Sequence, residues 1–217
     1  MKQLRALTRL GGAWVIYLLL ACSVLAVAIV IERWIVFRRE RRSADALKER
    51  VPVNLGEGDL DSVSRLAQGH PGAASSILLA GLRHLRSGAA SMEERILAAR
   101  IAEKNRLEKR LLILGTLGNN APFIGLFGTV LGVIQAFRAL GAADSSDPSM
   151  LMTGLSEALI ATAVGLFVAI PSVMAYNYFN KRMADILDEA ETFVRLLLAH
   201  LKDQTQDNLL RRHPAER

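Results

Sequence analysis

Residues 111–137 read LLILGTLGNNAPFIGLFGTVLGVIQAF, with no Asp, Glu, Lys or Arg anywhere in the run. A helix needs roughly 20 apolar residues to cross a hydrocarbon core of about 30 Å, and this run exceeds that. Two further stretches meet the same requirement, residues 13–31 and residues 151–179. The 217 residues are 51% apolar, but the apolar residues are clustered in these blocks with charged segments between them. This pattern predicts an all-α integral membrane protein with three transmembrane helices.

The formal charge is +6, and much of it lies beside the spans: Arg33, Arg38, Arg39, Arg41 and Arg42 after the first, Lys181 and Arg182 after the third. Positive charge in such places fixes topology and meets anionic lipid headgroups. No interleaved aromatic and basic motif points to nucleic acid. Cys22 stands alone, so no intramolecular disulfide can form. Leu19-Leu20-Ala21-Cys22 faintly resembles a lipoprotein cleavage site, but the apolar run continues to Ile31 and an Arg-rich flank follows, as in a retained anchor.

Seven segments follow. Residues 1–12, with Lys2, Arg5 and Arg9, are expected as a short interfacial helix on the periplasmic side. Residues 13–37 form the first span, with Trp14 and Tyr17 at one aromatic belt and Trp34 at the other. Residues 38–110 form a basic cytoplasmic helical loop. Within it, a turn is expected around Pro52 to Gly58, short helices over 60–67 and 73–85, breakers at His70-Pro71-Gly72 and Ser87-Gly88, and a capping box at Ser91 and Glu94. With no Gly or Pro before Gly115, the helix opened there is expected to run unbroken from about Met92 to Phe137. Residues 111–138 form the second span, 139–150 a short periplasmic loop with Asp144 and Asp147, and 151–179 the third span. Residues 180–217 form a cytoplasmic C-terminal helix and tail. Its seam of Met183, Leu187, Ala190, Val194, Leu197 and Leu201 faces either the chain's own helices or neighbouring copies. Pro122 and Pro171 are expected to kink their spans.

Glu157 is the most informative residue, because a charged carboxylate in hydrocarbon costs roughly 2.5–3.5 kcal/mol even on lenient scales. It either snorkels to the surface or faces protein or water as part of a proton pathway. Thr162 and Thr129 are the other polar candidates, although a lone Thr in a membrane helix usually bonds its own backbone. Ala121, Gly125, Gly128 and Gly132 recur at spacings of four, three and four, and Ala161, Gly165 and Ala169 at four and four. Small faces of this kind let membrane helices approach closely, so the second and third spans are expected to pack on one another, with the first toward lipid.

The segment 121–130, APFIGLFGTV, and the segment 157–166, EALIATAVGL, continuing through Ala169-Ile170-Pro171 to Tyr176-Asn177, resemble the second-span and third-span signatures of the MotA/TolQ/ExbB superfamily. The resemblance implies that Thr129, Glu157 and Thr162 are the polar residues of a proton pore. It also implies a pentameric ring around a dimer of single-span partners of the ExbD or TolR kind, in the bacterial inner membrane. Such a motor would use the proton motive force to energise a TonB-like or TolA-like protein. The large loop lies between the first and second spans, unlike the four-span flagellar stators, so flagellar rotation is not expected. Between the other branches the reading leans to ExbB and its role in outer-membrane transport, with a TolQ-type role in envelope maintenance and cell division as the alternative. A passive membrane scaffold is the rival from another class, and a small secondary transporter ranks last. His70, His84, His200 and His213 are scattered, and no phosphate-binding loop is present, so neither an enzyme nor a cofactor is expected.

Overall fold

The structure is a computed structural model and describes residues 13–85, 88–142 and 148–212. The interfacial helix expected over 1–12, Ser87, the acidic loop residues 143–147 and the tail beyond 212 lie outside the described residues. Those described form helices α1 (Ala13–Gly56), α2 (Leu60–Gly69), α3 (Ala73–Leu82), α4 (Ala89–Glu108), α5 (Leu111–Ala142) and α6 (Pro148–Arg212). Three of them, α1, α5 and α6, are long and apolar enough to cross a membrane. In lipid a helix succeeds because each backbone N–H and C=O finds its partner inside its own segment.

The chain divides into two compact units, and α1 and α6 each contribute to both. The first takes residues up to Glu32 together with Arg110–Tyr178. Its core gathers Val15 and Leu19 of α1, Ala121 and Leu131 of α5, and Val168 and Ala169 of α6, with half-buried Trp14 and Cys22 against them. Trp14 meets the Phe127 ring edge-on at 6.4 Å. It therefore packs beside Gly128, part-way along α5.

The second unit takes Arg33–Lys109 and the chain from Phe179 onward. The expected C-terminal seam is covered by its own chain: Met183, Leu187, Ala190, Val194 and Leu197 are buried. A Cβ added at Gly81 of α3 would touch Leu197 of α6 and Met92 and Ile96 of α4, which locates that packing. Phe37 and Phe179 stack at 5.3 Å. Glu40 is the polar centre of this unit. One of its carboxylate oxygens accepts the Ala73 N–H at 2.7 Å, capping α3, whose own cap residue Gly72 has no side chain to offer. The other accepts from Arg106 of α4 at 2.6 Å. Burial lowers the Arg106 pKa, but the hydrogen bonds to Glu40 and Glu103 outweigh it and hold the guanidinium above its ordinary value. Gly72 is required by crowding, since a Cβ there would lie 2.8 Å from the Ser43 hydroxyl.

Three local expectations are corrected. Pro52 does not start a turn; α1 runs through it to Gly56, because Leu47, Val51 and Leu55 form a buried face that outweighs one lost backbone bond. The turn comes later, at Gly58, whose φ of +75° suits glycine. The capping box at Ser91 is not used: Gly88, at φ +85° and three residues before Ser91, is the cap residue of α4, which begins at Ala89.

The third correction is the largest. The helix expected to run from Met92 to Phe137 breaks at Lys109 and Arg110. Lys109 is extended at ψ 131°, and Arg110 is left-handed at φ +70°. That conformation costs a non-glycine residue about 1–2 kcal/mol. Two neighbours on α1 supply the compensation. In the second unit, Arg33 donates to the Leu107 carbonyl at 3.3 Å, satisfying an orphan acceptor at the end of α4. In the first unit, Glu32 pairs with Arg110 at 3.1 Å.

Two predictions follow from these polar anchors. Both are read by thermal unfolding of helicity in detergent. Glu40→Ala should cost about 2 kcal/mol, the worth of hydrogen bonds to a charged group, with Glu40→Gln losing less. Arg110→Gly should be about 1 kcal/mol more stable than Arg110→Ala, since both lose the ion pair and only glycine relieves the left-handed strain.

Candidate functional site

The candidate site is built on the contact between α5 and α6, which run antiparallel. A Cβ on Gly125 would lie 2.8 Å from the Ala161 carbonyl oxygen and 3.2 Å from the Gly165 Cα. A Cβ on Gly165 would lie 2.7 Å from the Ala121 carbonyl oxygen. The two backbones therefore meet with no side chain between them. On one side of this point Gly132 meets Ala158 and Gly154 meets Ala136; on the other Gly118 meets Val173 and Gly115 meets the Tyr176 ring. Gly128 receives Ala161 from α6 and Val15 from α1 together, so the first span also packs into this bundle. Pro122 lies within α5 beside Ala121, and Pro171 within α6 beside Ser172, whose hydroxyl donates to the Val168 carbonyl at 2.7 Å.

These pairings set the depth of the three polar candidates. Thr129 follows Gly128, which meets Ala161; Thr162 follows Ala161. The two threonines are thus level. Glu157 precedes Ala158, which meets Gly132, about one turn nearer the α5–α6 connection. Their environments differ. Thr129 donates its hydroxyl to the Leu126 carbonyl at 2.6 Å, the bland behaviour of a threonine in a helix. The Thr162 hydroxyl oxygen is buried and has no partner among the described residues. Glu157 is exposed on the protomer. Five residues on a helix turn through about 500°, so Glu157 and Thr162 stand about 140° apart around α6. One protomer therefore places the two threonines at one level and leaves the carboxylate on a separate outward surface.

Two features escaped the sequence reading. The Trp14 indole nitrogen is buried without a partner and sits at the threonine level, through its contact with Phe127. Thr116, Asn119 and Asn120 form an exposed polar face on α5. The adjacent amides in an otherwise uncharged apolar run were the available signal for the latter. Among the described residues no cluster of His, Cys, Asp or Glu could hold a metal ion.

The family model described as the MotA/TolQ/ExbB proton channel family matches residues 71–192. The chain is 34% identical over 206 residues to the Tol-Pal system protein TolQ of Pseudomonas aeruginosa, covering 88% of this chain and 88% of that protein. It is 40% identical over 131 residues to the Tol-Pal system protein TolQ of Haemophilus influenzae, covering 60% of this chain and 53% of that one. It is 42% identical over 91 residues to the biopolymer transport protein ExbB of Xanthomonas campestris pv. campestris, covering 42% of this chain and 36% of that one.

The backbone contact gives a direct test. Gly125→Val should lower stability by about 1–3 kcal/mol through overpacking, seen as a fall in Tm in detergent. Gly141→Ala, where nothing lies within 4 Å of the added carbon, should leave Tm unchanged or slightly raised.

Proposed function

Because the chain belongs to the MotA/TolQ/ExbB proton channel family, we propose that it is the proton-channel subunit of an inner-membrane motor of the ExbB or TolQ type. The observation that carries this reading is the exposed Glu157 within a membrane-crossing helix, about one turn from a level pair of threonines. A carboxylate in that place needs water or protein around it, and one protomer leaves it uncovered.

In this reading several copies, five by the family's pattern, surround a dimer of single-span partners of the ExbD or TolR kind. The N-terminus is periplasmic and the C-terminus cytoplasmic in this reading, which the basic flanks at residues 38–42 and 181–182 support. The same flanks meet anionic lipid. Protons pass Glu157, Thr129 and Thr162, with the potential supplying about 2.3 kcal/mol per charge per 100 mV. The resulting motion is handed to a TonB-like or TolA-like protein in the periplasm. ExbB-type energisation of outer-membrane transport is the role read from the sequence. A TolQ-type role in envelope maintenance has its own support, because the likeness that spans 88% of both chains is to a TolQ, while the ExbB likeness spans 42% of this chain.

The test is proton uptake by liposomes holding the chain with its single-span partner. Glu157→Gln should assemble normally and lose uptake by about a hundredfold, the scale of a lost proton-transfer group. Full uptake in the assembled variant would remove Glu157 from the pathway, and no uptake by the wild-type complex under any driving force would favour a passive scaffold.

A further inference from the structure

The face of α5 near its basic end carries polar groups that the proton-channel reading has not used. Thr116, Asn119 and Asn120 are all exposed on the protomer, a few residues from Arg110. Two of them have local partners: the Thr116 hydroxyl donates to the Leu112 carbonyl at 2.8 Å, and the Asn120 amide donates to the Thr116 carbonyl at 2.8 Å. The Asn119 amide has no hydrogen-bond partner among the described residues. Moving an amide from water into hydrocarbon without a partner costs about 4–8 kcal/mol. That exceeds what several net hydrogen bonds return, so in its working state Asn119 meets water or protein.

Its depth and direction narrow the choice. Gly118 meets Val173 while Gly125 meets Thr162 and Gly165, so Asn119 lies beyond the threonine level on the Lys181 side. The ten-residue step from Asn119 to Thr129 spans about 15 Å and leaves the two side chains about 80° apart around α5, with Leu126 between them. On α6, the polar side chains between Thr162 and Asn177 are Ser172 and Tyr176. Ser172 is buried and bonded to Val168, and the Tyr176 ring packs on Gly115. Going from the threonines toward the basic end on this side of α5, Asn119 is the next exposed polar group without a local bond.

Resting on the proton-channel reading, we propose that Asn119 is the station on the basic side of the pore that holds water for protons leaving the threonine level. The amide does not ionise. Its carbonyl accepts from one water and its NH2 donates to another, and the proton moves along that water, each hydronium passing one proton to the next molecule. Asn119 is thus a positioning residue for water.

The experiment uses the whole chain with its single-span partner in liposomes, with an internal pH dye. Asn119→Leu, equal in shape and unable to hydrogen-bond, should assemble with unchanged elution and lower uptake about tenfold, the rate equivalent of one net hydrogen bond. Asn119→Ser, which keeps a group able to hold water, should recover most of the flux. Undiminished flux in an assembled Asn119→Leu complex overturns the proposal, and so does a loss that Asn119→Ser does not recover. Should the Leu variant fail to assemble, Asn119→Ala decides in the same way; failure of both to assemble also overturns it, marking Asn119 as an interhelix bond. Absence of flux in the wild-type complex overturns the proton-channel reading itself, whereas wild-type flux matched by Asn119→Leu overturns only the role of Asn119.

Discussion

The contact of two helix backbones at Gly125 and Gly165 is the constraint on which the membrane unit depends. Each glycine lies against a carbonyl oxygen of the opposite helix, from Ala161 and Ala121. Lipid tails are as apolar as leucine, so water gives these helices little reason to associate; close van der Waals packing does so instead. The same contact fixes register. Once Gly125 opposes Gly165, Gly128 must oppose Ala161 and Gly132 must oppose Ala158, and the depths of Thr129, Thr162 and Glu157 follow.

The second unit solves a different problem, which is to hold several short helices together with polar bonds. Glu40 caps α3 and pairs with Arg106 of α4 from a position on α1. Asp59 does similar work locally, capping α2 through the Ser62 hydroxyl and N–H, bonds that hold its carboxyl below the ordinary range. The cap's contribution is therefore present above that range and fades as pH falls through the lowered value. Arg33 satisfies the Leu107 carbonyl where α4 ends, and in the first unit Glu32 pairs with Arg110 just before α5 begins.

The polar candidates divide by what each protomer does for them. Thr129 is satisfied by its own helix, so its hydroxyl oxygen remains available only as a further acceptor. The Thr162 oxygen and the Trp14 nitrogen are enclosed without partners at one level, and Glu157 and Asn119 are outward and unsatisfied at levels on either side. A helix bundle meant for lipid on all free sides would not leave a carboxylate and an amide uncovered. A ring of copies around a wet axis, as proposed, would give both a polar neighbour, which is why the proposed assembly and the proposed chemistry stand together.

What the sequence determined by itself was the long-range pattern: three apolar blocks set off by basic flanks, small residues repeating along the second and third, and a carboxylate where hydrocarbon should forbid it. Those features are legible because membrane length and the cost of charge in lipid act on composition alone. The small-residue spacing marked the α5 and α6 faces that the structure brings together, but not their register, which comes from contacts between residues as far apart in the chain as Gly115 and Tyr176. Tertiary structure alone decided where helices end. Lys109 and Arg110 carry no local breaker, and their break rests on Glu32 and Arg33 far away in sequence; Pro52 is a breaker overruled by the buried face of Leu47, Val51 and Leu55. Local chemistry proposes a turn or a helix, and the partner that can satisfy or outweigh it is known only once the chain has folded.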